Sequence, residues 1–92
     1  DILSELGRQK TKGQILVGFA LETDSEEENA LKKLNAKNLD MIVLNSLNNE
    51  GAGFGFETNK VSIYSKNNKA VHTELRTKKE IAVDILNELL KL

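Results

Sequence analysis

The chain has no cysteine, one histidine and few aromatic residues: three phenylalanines, one tyrosine and no tryptophan. Without thiols there is neither a disulfide framework nor a thiolate metal site. With His72 as its single histidine, the chain cannot build a multi-histidine metal centre. An excess of one charge is missing as well. Thirteen basic against fourteen acidic side chains leave a formal net charge of -1, with a sequence pI near 5.9. Coating DNA or an anionic membrane requires a basic excess. Neither nucleic acid nor membrane is therefore an expected partner, and any bound anion must be held by a local cluster. No apolar run approaches the length of a membrane span, and no signal-peptide pattern opens the sequence. The expected location is cytoplasmic.

What is present reads as an ordinary globular chain. A hydrophobic fraction of 39% and a charged fraction of 29% fit a soluble fold. Ninety-two residues allow one small domain with a single core. The sequence begins at Asp1, directly at a helix cap, which is the expectation for a domain excised from a longer protein.

Asp1 can cap a short helix carrying Ile2, Leu3 and Leu6, with Gly7 or Gly13 as its stop. Gln14 to Leu21 (QILVGFAL) is an almost unbroken apolar run, the pattern of a strand buried on both faces of a parallel sheet. Thr23, Asp24 and Ser25 are N-cap candidates, and Thr23–Glu26 and Ser25–Glu28 both have capping-box spacing. A helix should run from there to about Asn38, burying Ala30, Leu31 and Leu34. Met41 to Leu44 (MIVL) is a second buried strand, completing a βαβ unit. Asn45 to Asn59 reads as a loop containing Gly51, Gly53 and Gly55. Val61, Ile63 and Tyr64 mark a third strand, Asn67-Asn68 a turn, and Ala70 to Leu75 a hairpin return. Thr77 with Glu80 caps a last helix that presents Ile81, Ile85, Leu86 and Leu89 at helical spacing. The fold class is α/β, a partial Rossmann-like arrangement with a mainly parallel sheet of three to four strands and flanking helices.

Ligands of open α/β sheets bind beyond the carboxyl ends of the parallel strands. That rule points to Ala20-Leu21-Glu22-Thr23, to Asn45-Ser46 and to the glycine-rich loop that follows. Alternating glycines let a backbone approach a ligand closely and aim amides at phosphate oxygens. A connection whose phenylalanines fold back on the core would carry the same residues. Lys33 and Lys37 lie four apart on one helix face with no local counterion, whereas Lys32 has Glu28 one turn earlier. Such a pair can hold a polyphosphate, and it is also common on a solvated helix surface. Lys78 and Lys79 open the last helix, where the macrodipole disfavours cations unless an anion lies between them and the amides. His72 reads as an edge-strand residue. No Ser-His-Asp arrangement, catalytic carboxylate pair or metal set stands out. The residues alone describe an α/β domain with an anion-competent crevice.

The string resembles the phosphopantothenate–cysteine ligases in several places. Gly18-Phe19-Ala20-Leu21-Glu22-Thr23 is similar to that family's G-F-A-x-E-T segment. Ala30-Leu-Lys-Lys33-Leu34-Asn-Ala-Lys37-Asn38-Leu39-Asp40 resembles its A-x-x-K-L-x-x-K-N-L-D, and Met41 to Asn45 its I-V-x-N strand end. Gly53-Phe54-Gly55 with Thr58-Asn59-Lys-Val61 resembles G-F-G-S-D-x-N-x-V, although Phe56-Glu57 stands in place of S-D and Leu21 where alanine is frequent. Lys78-Lys79-Glu80-Ile81-Ala82 is similar to the lysine-bearing start of the closing helix. The matches cover nearly the whole chain in order.

The resemblance implies residues 1–92 are the C-terminal nucleotide-binding portion of a larger ligase domain whose N-terminal half lies outside the chain. It implies CTP, 4′-phosphopantothenate and cysteine as substrates, Mg2+ accompanying CTP, and an acyl-cytidylate on the way to coenzyme A. FMN would belong only to a fused decarboxylase domain, and the parent would be a homo-oligomer through ligase-domain dimers. Lys33 would be the catalytic residue and contact the triphosphate with Lys37 nearby. Phe54 would hold the nucleotide, Ala20 and Leu21 would line the crevice with Asp24 at its edge, and Lys78 would reach the phosphates. A non-catalytic nucleotide-binding module and an assembly domain are the competing readings.

Overall fold

A computed structural model describes residues 1–46 and 58–92. The first helix, α1 (Ile2–Gln9), is capped by Asp1, whose carboxylate accepts from the Ser4 amide at 2.8 Å. Gly7 does not end it. Gly7 is buried inside α1, where a Cβ would fall 2.0 Å from the Lys37 carbonyl oxygen. The glycine permits two backbones to touch rather than a turn. The helix gives way at Lys10 to extended backbone, and Gly13, at φ 93°, supplies the turn beyond.

The apolar run yields β1 (Val17–Glu22), but only one of its faces is covered. Gly18 and Ala20 are buried, whereas Phe19 is 71% exposed. The expectation of burial on both faces fails because Ala20 joins the core cluster on one face, while on the other no described element packs over Phe19. The next element, α2 (Glu26–Ala36), takes Ser25 as its N-cap in a left-handed conformation (φ 46°, ψ 46°), and the Ser25 side chain makes no capping bond. Side-chain capping needs an extended backbone at that position, so the expected Ser25–Glu28 box does not form. Asn29 ties down the turn instead, its amide donating to the Asp24 carbonyl at 3.0 Å. Ala30 and Leu34 are buried, and Leu31, half-buried, packs against the same cluster. Asn38, at φ 54°, ends the helix and donates its side-chain amide to the Gly7 carbonyl at 3.0 Å.

The chain continues into β2 (Met41–Ser46), β3 (Thr58–Asn59), β4 (Val61–Ser65), β5 (Ala70–His72), β6 (Arg76–Thr77) and α3 (Lys78–Leu89). β1, α2 and β2 form the expected unit, with β1 parallel to β2 from Val17↔Met41 to Glu22↔Ser46. The main sheet has four strands in the order β1-β2-β4-β5. It is mixed rather than mainly parallel, because β4 runs antiparallel to both β2 and β5. The sequence VSIYS starts as an alternation of apolar and polar residues, the pattern of antiparallel strands, and a tight turn at 66–69 forces the return. Asn68 takes the left-handed position of that turn at φ 66°. β3 and β6 form a separate two-stranded antiparallel ladder that no sequence pattern announced.

The alternation of side chains along β2 divides the core. Ile42 and Leu44 join Ala20, Ala30, Leu34, Leu39 and Tyr64 under α2. Met41 and Val43 join Val61, Ile63 and Ile81 under α3, which is capped by the expected reciprocal box between Thr77 and Glu80. At the amino ends of the strands, buried Asp40 gathers the fold. Its Oδ2 accepts from the Leu16 amide at 2.7 Å and from Lys10 Nζ at 3.2 Å, and its Oδ1 pairs with Lys66 Nζ at 2.7 Å. Burial pushes this carboxyl up, but Lys66, the Leu16 amide and Lys10 together more than offset it. The group is held below the ordinary aspartate range.

Candidate functional site

The carboxyl ends of β1 and β2 lie side by side, with Ala20 opposite Leu44, Leu21 opposite Asn45 and Glu22 opposite Ser46. Ala20 is buried under α2, and Leu21, two positions along from Phe19, looks to the other face, where it is partly exposed. Beyond Glu22 the chain turns into α2, leaving Asp24 exposed at the rim. The opposite wall follows from register. β4 places Val61 against Asn45, so β3 lies beyond the carboxyl end of β2. Pairing of Thr58 with Thr77 then brings β6, and with it Lys78 at the first turn of α3, to the same end of the sheet.

Two lysines read from the sequence as lacking counterions prove to have them, and they part company. Lys33 Nζ reaches back to Glu22 Oε1 at 2.7 Å, at the very end of β1. Lys37 Nζ pairs instead with Asp1 Oδ2 at 2.9 Å, beside the start of α1. Lys37 sits roughly 6 Å farther along the helix axis. Ala20, Leu21, Asp24 and Lys33 thus stand towards the carboxyl end of β1, Lys78 comes to the same end on α3 over the opposite face of the sheet, and Lys37 pairs beside the start of α1. Phe54 lies outside the described residues, as do Gly51, Gly53, Gly55 and Phe56-Glu57.

Two further residues belong to this end. Glu22 was part of a sequence motif but had no role, because its partner is eleven positions away and helical spacing rules do not reach across a strand–helix turn. Asn45 carries a buried side-chain oxygen with no hydrogen-bond partner among the described residues. Buried acceptors are ordinarily satisfied, and this one stands near the carboxyl end of β2, opposite Leu21. His72 lies on the outer strand β5, as read. It shares a 2.7 Å hydrogen bond with Ser62 Oγ and meets the Tyr64 ring edge-on at 5.9 Å. A cavity of ≈ 230 Å³ between α2 and the β4–β5 turn is lined by Glu27, Leu31, Tyr64 and Lys69, away from the strand ends. Topology and polar convergence favour the strand ends as the site.

This arrangement defines an open α/β domain whose parallel pair ends in Glu22, with Lys33 paired to it, and in Asn45. The chain belongs to the DNA/pantothenate metabolism flavoprotein C-terminal domain family, whose model matches residues 1–92. Among its relatives is the coenzyme A biosynthesis bifunctional protein CoaBC of Bacillus subtilis (strain 168), 49% identical over 97% of this chain and 22% of that protein. A cysteine/cysteine sulfinic acid decarboxylase from an unknown prokaryotic organism is 59% identical over the whole chain and 26% of its own length. The chain therefore spans about a quarter of the curated relatives it matches. The crystal structure of the C-terminal domain of a CoaBC superposes with a TM-score of 0.82 at 46% identity, covering 99% of this chain and 43% of that one. The α/β fold and the family resemblance read from the sequence both stand.

Proposed function

We propose that this chain supplies part of the nucleotide site of a CTP-dependent phosphopantothenate–cysteine ligase acting in coenzyme A biosynthesis. The observation that carries the reading is Lys33 paired with Glu22 at the carboxyl end of β1, in a chain 49% identical to a CoaBC. In the proposed reaction a carboxylate oxygen of 4′-phosphopantothenate attacks the α-phosphorus of CTP. Pyrophosphate leaves, and an acyl-cytidylate forms. The amine of cysteine then attacks the acyl carbon and expels CMP. Both steps proceed by positioning and charge neutralisation, so they call for cations and amides rather than a nucleophilic side chain.

Lys33 would neutralise charge developing on the triphosphate, and Lys78 would meet the phosphates from the α3 side. Ala20 and Leu21 would form the wall, Phe54 would hold the nucleotide, and Asp24 would stand at the rim. Lys37, tied to Asp1, would add to the field without touching the ligand. Among the described residues no three carboxylate or imidazole groups converge as a metal site. Mg2+ would arrive on the triphosphate, which is how this ion usually enters nucleotide sites. FMN would serve only a fused decarboxylase. The parent would act in the cytoplasm as a dimer or higher homo-oligomer of ligase domains.

The test is turnover by the full-length parent with CTP or ATP, 4′-phosphopantothenate and cysteine, reading CMP and pyrophosphate. Cysteine sulfinate serves as a control for the decarboxylation named in one relative. Absence of CTP-dependent amide formation sinks the reading. The isolated chain should not turn over, and detectable ligase activity from it would show that the rest of the parent is dispensable.

A second reading, an assembly module, draws on Phe19, 71% exposed on an outer strand. Outer strands with exposed apolar side chains invite pairing. Self-association unaffected by nucleotide would favour it.

A further inference from the structure

Lys33 is the group on which the proposed chemistry turns, yet α2 alone does not aim it. A lysine side chain is a point charge on a flexible four-carbon stem. One turn earlier stands Asn29, which is not a counterion and whose amide is already donated to the Asp24 carbonyl. The constraint comes from outside the helix, through Glu22 at the last position of β1.

The two partners are unequally placed. The Glu22 side chain is 14% exposed and the Lys33 side chain 43%. Glu22 falls on the same strand face as buried Ala20, two residues earlier, so the strand fixes its direction towards α2. The carboxylate is thus the anchored member and the ammonium the accessible one. An ammonium has three donors, and this pair is recorded through one oxygen of Glu22 at 2.7 Å. Donors remain for phosphate oxygens on the solvent side. Glu22 also stands opposite Ser46 in the sheet register, so the tether lies where both parallel strands end.

We propose that Glu22 is a positioning residue for the nucleotide site, holding Lys33 Nζ at the mouth of the crevice with donors left free for the phosphates. The proposal rests on the ligase reading. Glu22 acts through Lys33 and does not touch substrate. A carboxylate so close to a triphosphate would repel it if it stood alone, and charge matching by Lys33 removes that repulsion.

The experiment is a double-mutant cycle in the full-length parent, combining Glu22→Gln and Lys33→Ala, with Glu22→Asp as the conservative variant. kcat and KM for CTP are measured separately, and circular dichroism checks folding. Misplacing a catalytic group by about 1 Å costs on the order of 10²-fold in rate. Glu22→Gln is expected to lower kcat by that order while changing KM for CTP far less. Glu22→Asp, keeping the charge on a shorter arm, should recover part of the loss. In the Lys33→Ala background, Glu22→Gln should cost no further kcat, and by removing the unmatched carboxylate it should lower KM for CTP. Equal kcat losses from Glu22→Gln with and without Lys33 would overturn the proposal, since a purely structural role acts in both backgrounds. Unchanged kcat in Glu22→Gln would overturn it too, while leaving the ligase reading intact if Lys33→Ala is impaired. An unimpaired Lys33→Ala would sink the catalytic assignment of Lys33 and the tether with it. Should Glu22→Gln fail to fold, Glu22→Asp alone and in the Lys33→Ala background carries the same comparison.

Discussion

The two ends of the sheet are built on opposite principles. At the amino end, Asp40 engages Lys10, Lys66 and the Leu16 amide, closing a network that ties the exit of α1, the entry to β1 and the β4–β5 turn together. At the carboxyl end, Asn45 keeps a buried acceptor without a partner among the described residues, and Lys33 hangs half in solvent from a single tether. A satisfied polar cluster rigidifies a fold, whereas a buried acceptor without a donor costs free energy that a donor would recover. One end therefore holds the domain together, and the other is the end at which open α/β sheets generally take their ligands.

The sharpest way to break this comparison is Asp40→Ala. It strands Lys10, whose side chain is 11% exposed, in a site without a counterion. Loss of one partner from a buried pair costs roughly 3–5 kcal/mol, a loss that urea unfolding should show while leaving the crevice residues in place. The same carboxylate sets the acid limit. Its folded value is depressed, so its contribution is complete above the ordinary aspartate value and fades as pH falls through the lower folded one. In Asp40→Asn that part of the acid dependence should vanish from a stability–pH profile.

Next in size is Lys33→Ala at the other end, which should reverse the pattern. Removing one preorganised charge contact lowers kcat about 10²–10³-fold, roughly 3–4 kcal/mol. Its effect on the unfolding midpoint should be much smaller than that of Asp40→Ala. Gly7→Ala returns to the amino end. In a solvent-facing helix the change would gain about 1 kcal/mol, but here the new methyl meets the Lys37 backbone. A net loss of roughly 1–3 kcal/mol is expected from the overpacking. The smallest effect is Thr77→Ala, which removes the α3 cap beside Lys78. It should cost about 1 kcal/mol in thermal or chemical unfolding.

Much of the frame was legible because it rests on local rules. QILVGFAL and MIVL declared the parallel pair, Thr77 with Glu80 declared the start of α3, and Asn67-Asn68 located the hairpin turn. His72 was rightly placed on an outer strand. What escaped depends on partners far apart in sequence. Gly7 looked like a helix stop until Lys37 packed across it. Lys33 and Lys37 looked like a free cationic pair until Glu22 and Asp1 claimed one each. Nothing in the neighbourhood of Asp40 announced Lys10 and Lys66 as its partners. The apolar run of β1 could not reveal that α3 covers the middle of the sheet and leaves Phe19 bare.

The connections of the sheet also carry a history of assembly. β4 and β5 are neighbours across one tight turn, whereas β1 reaches β2 only through the crossover that includes α2. Closing a long connection forfeits more chain entropy before any contact rewards it. The hairpin therefore costs less chain entropy to close than the β1–β2 pair, which is joined by the longer connection. One wall of the proposed crevice, with Glu22 at its tip, is thus borne by a strand whose pairing closes the longer connection. A nucleotide seated against that strand would act as a clasp on that pairing and add to the stability of the domain.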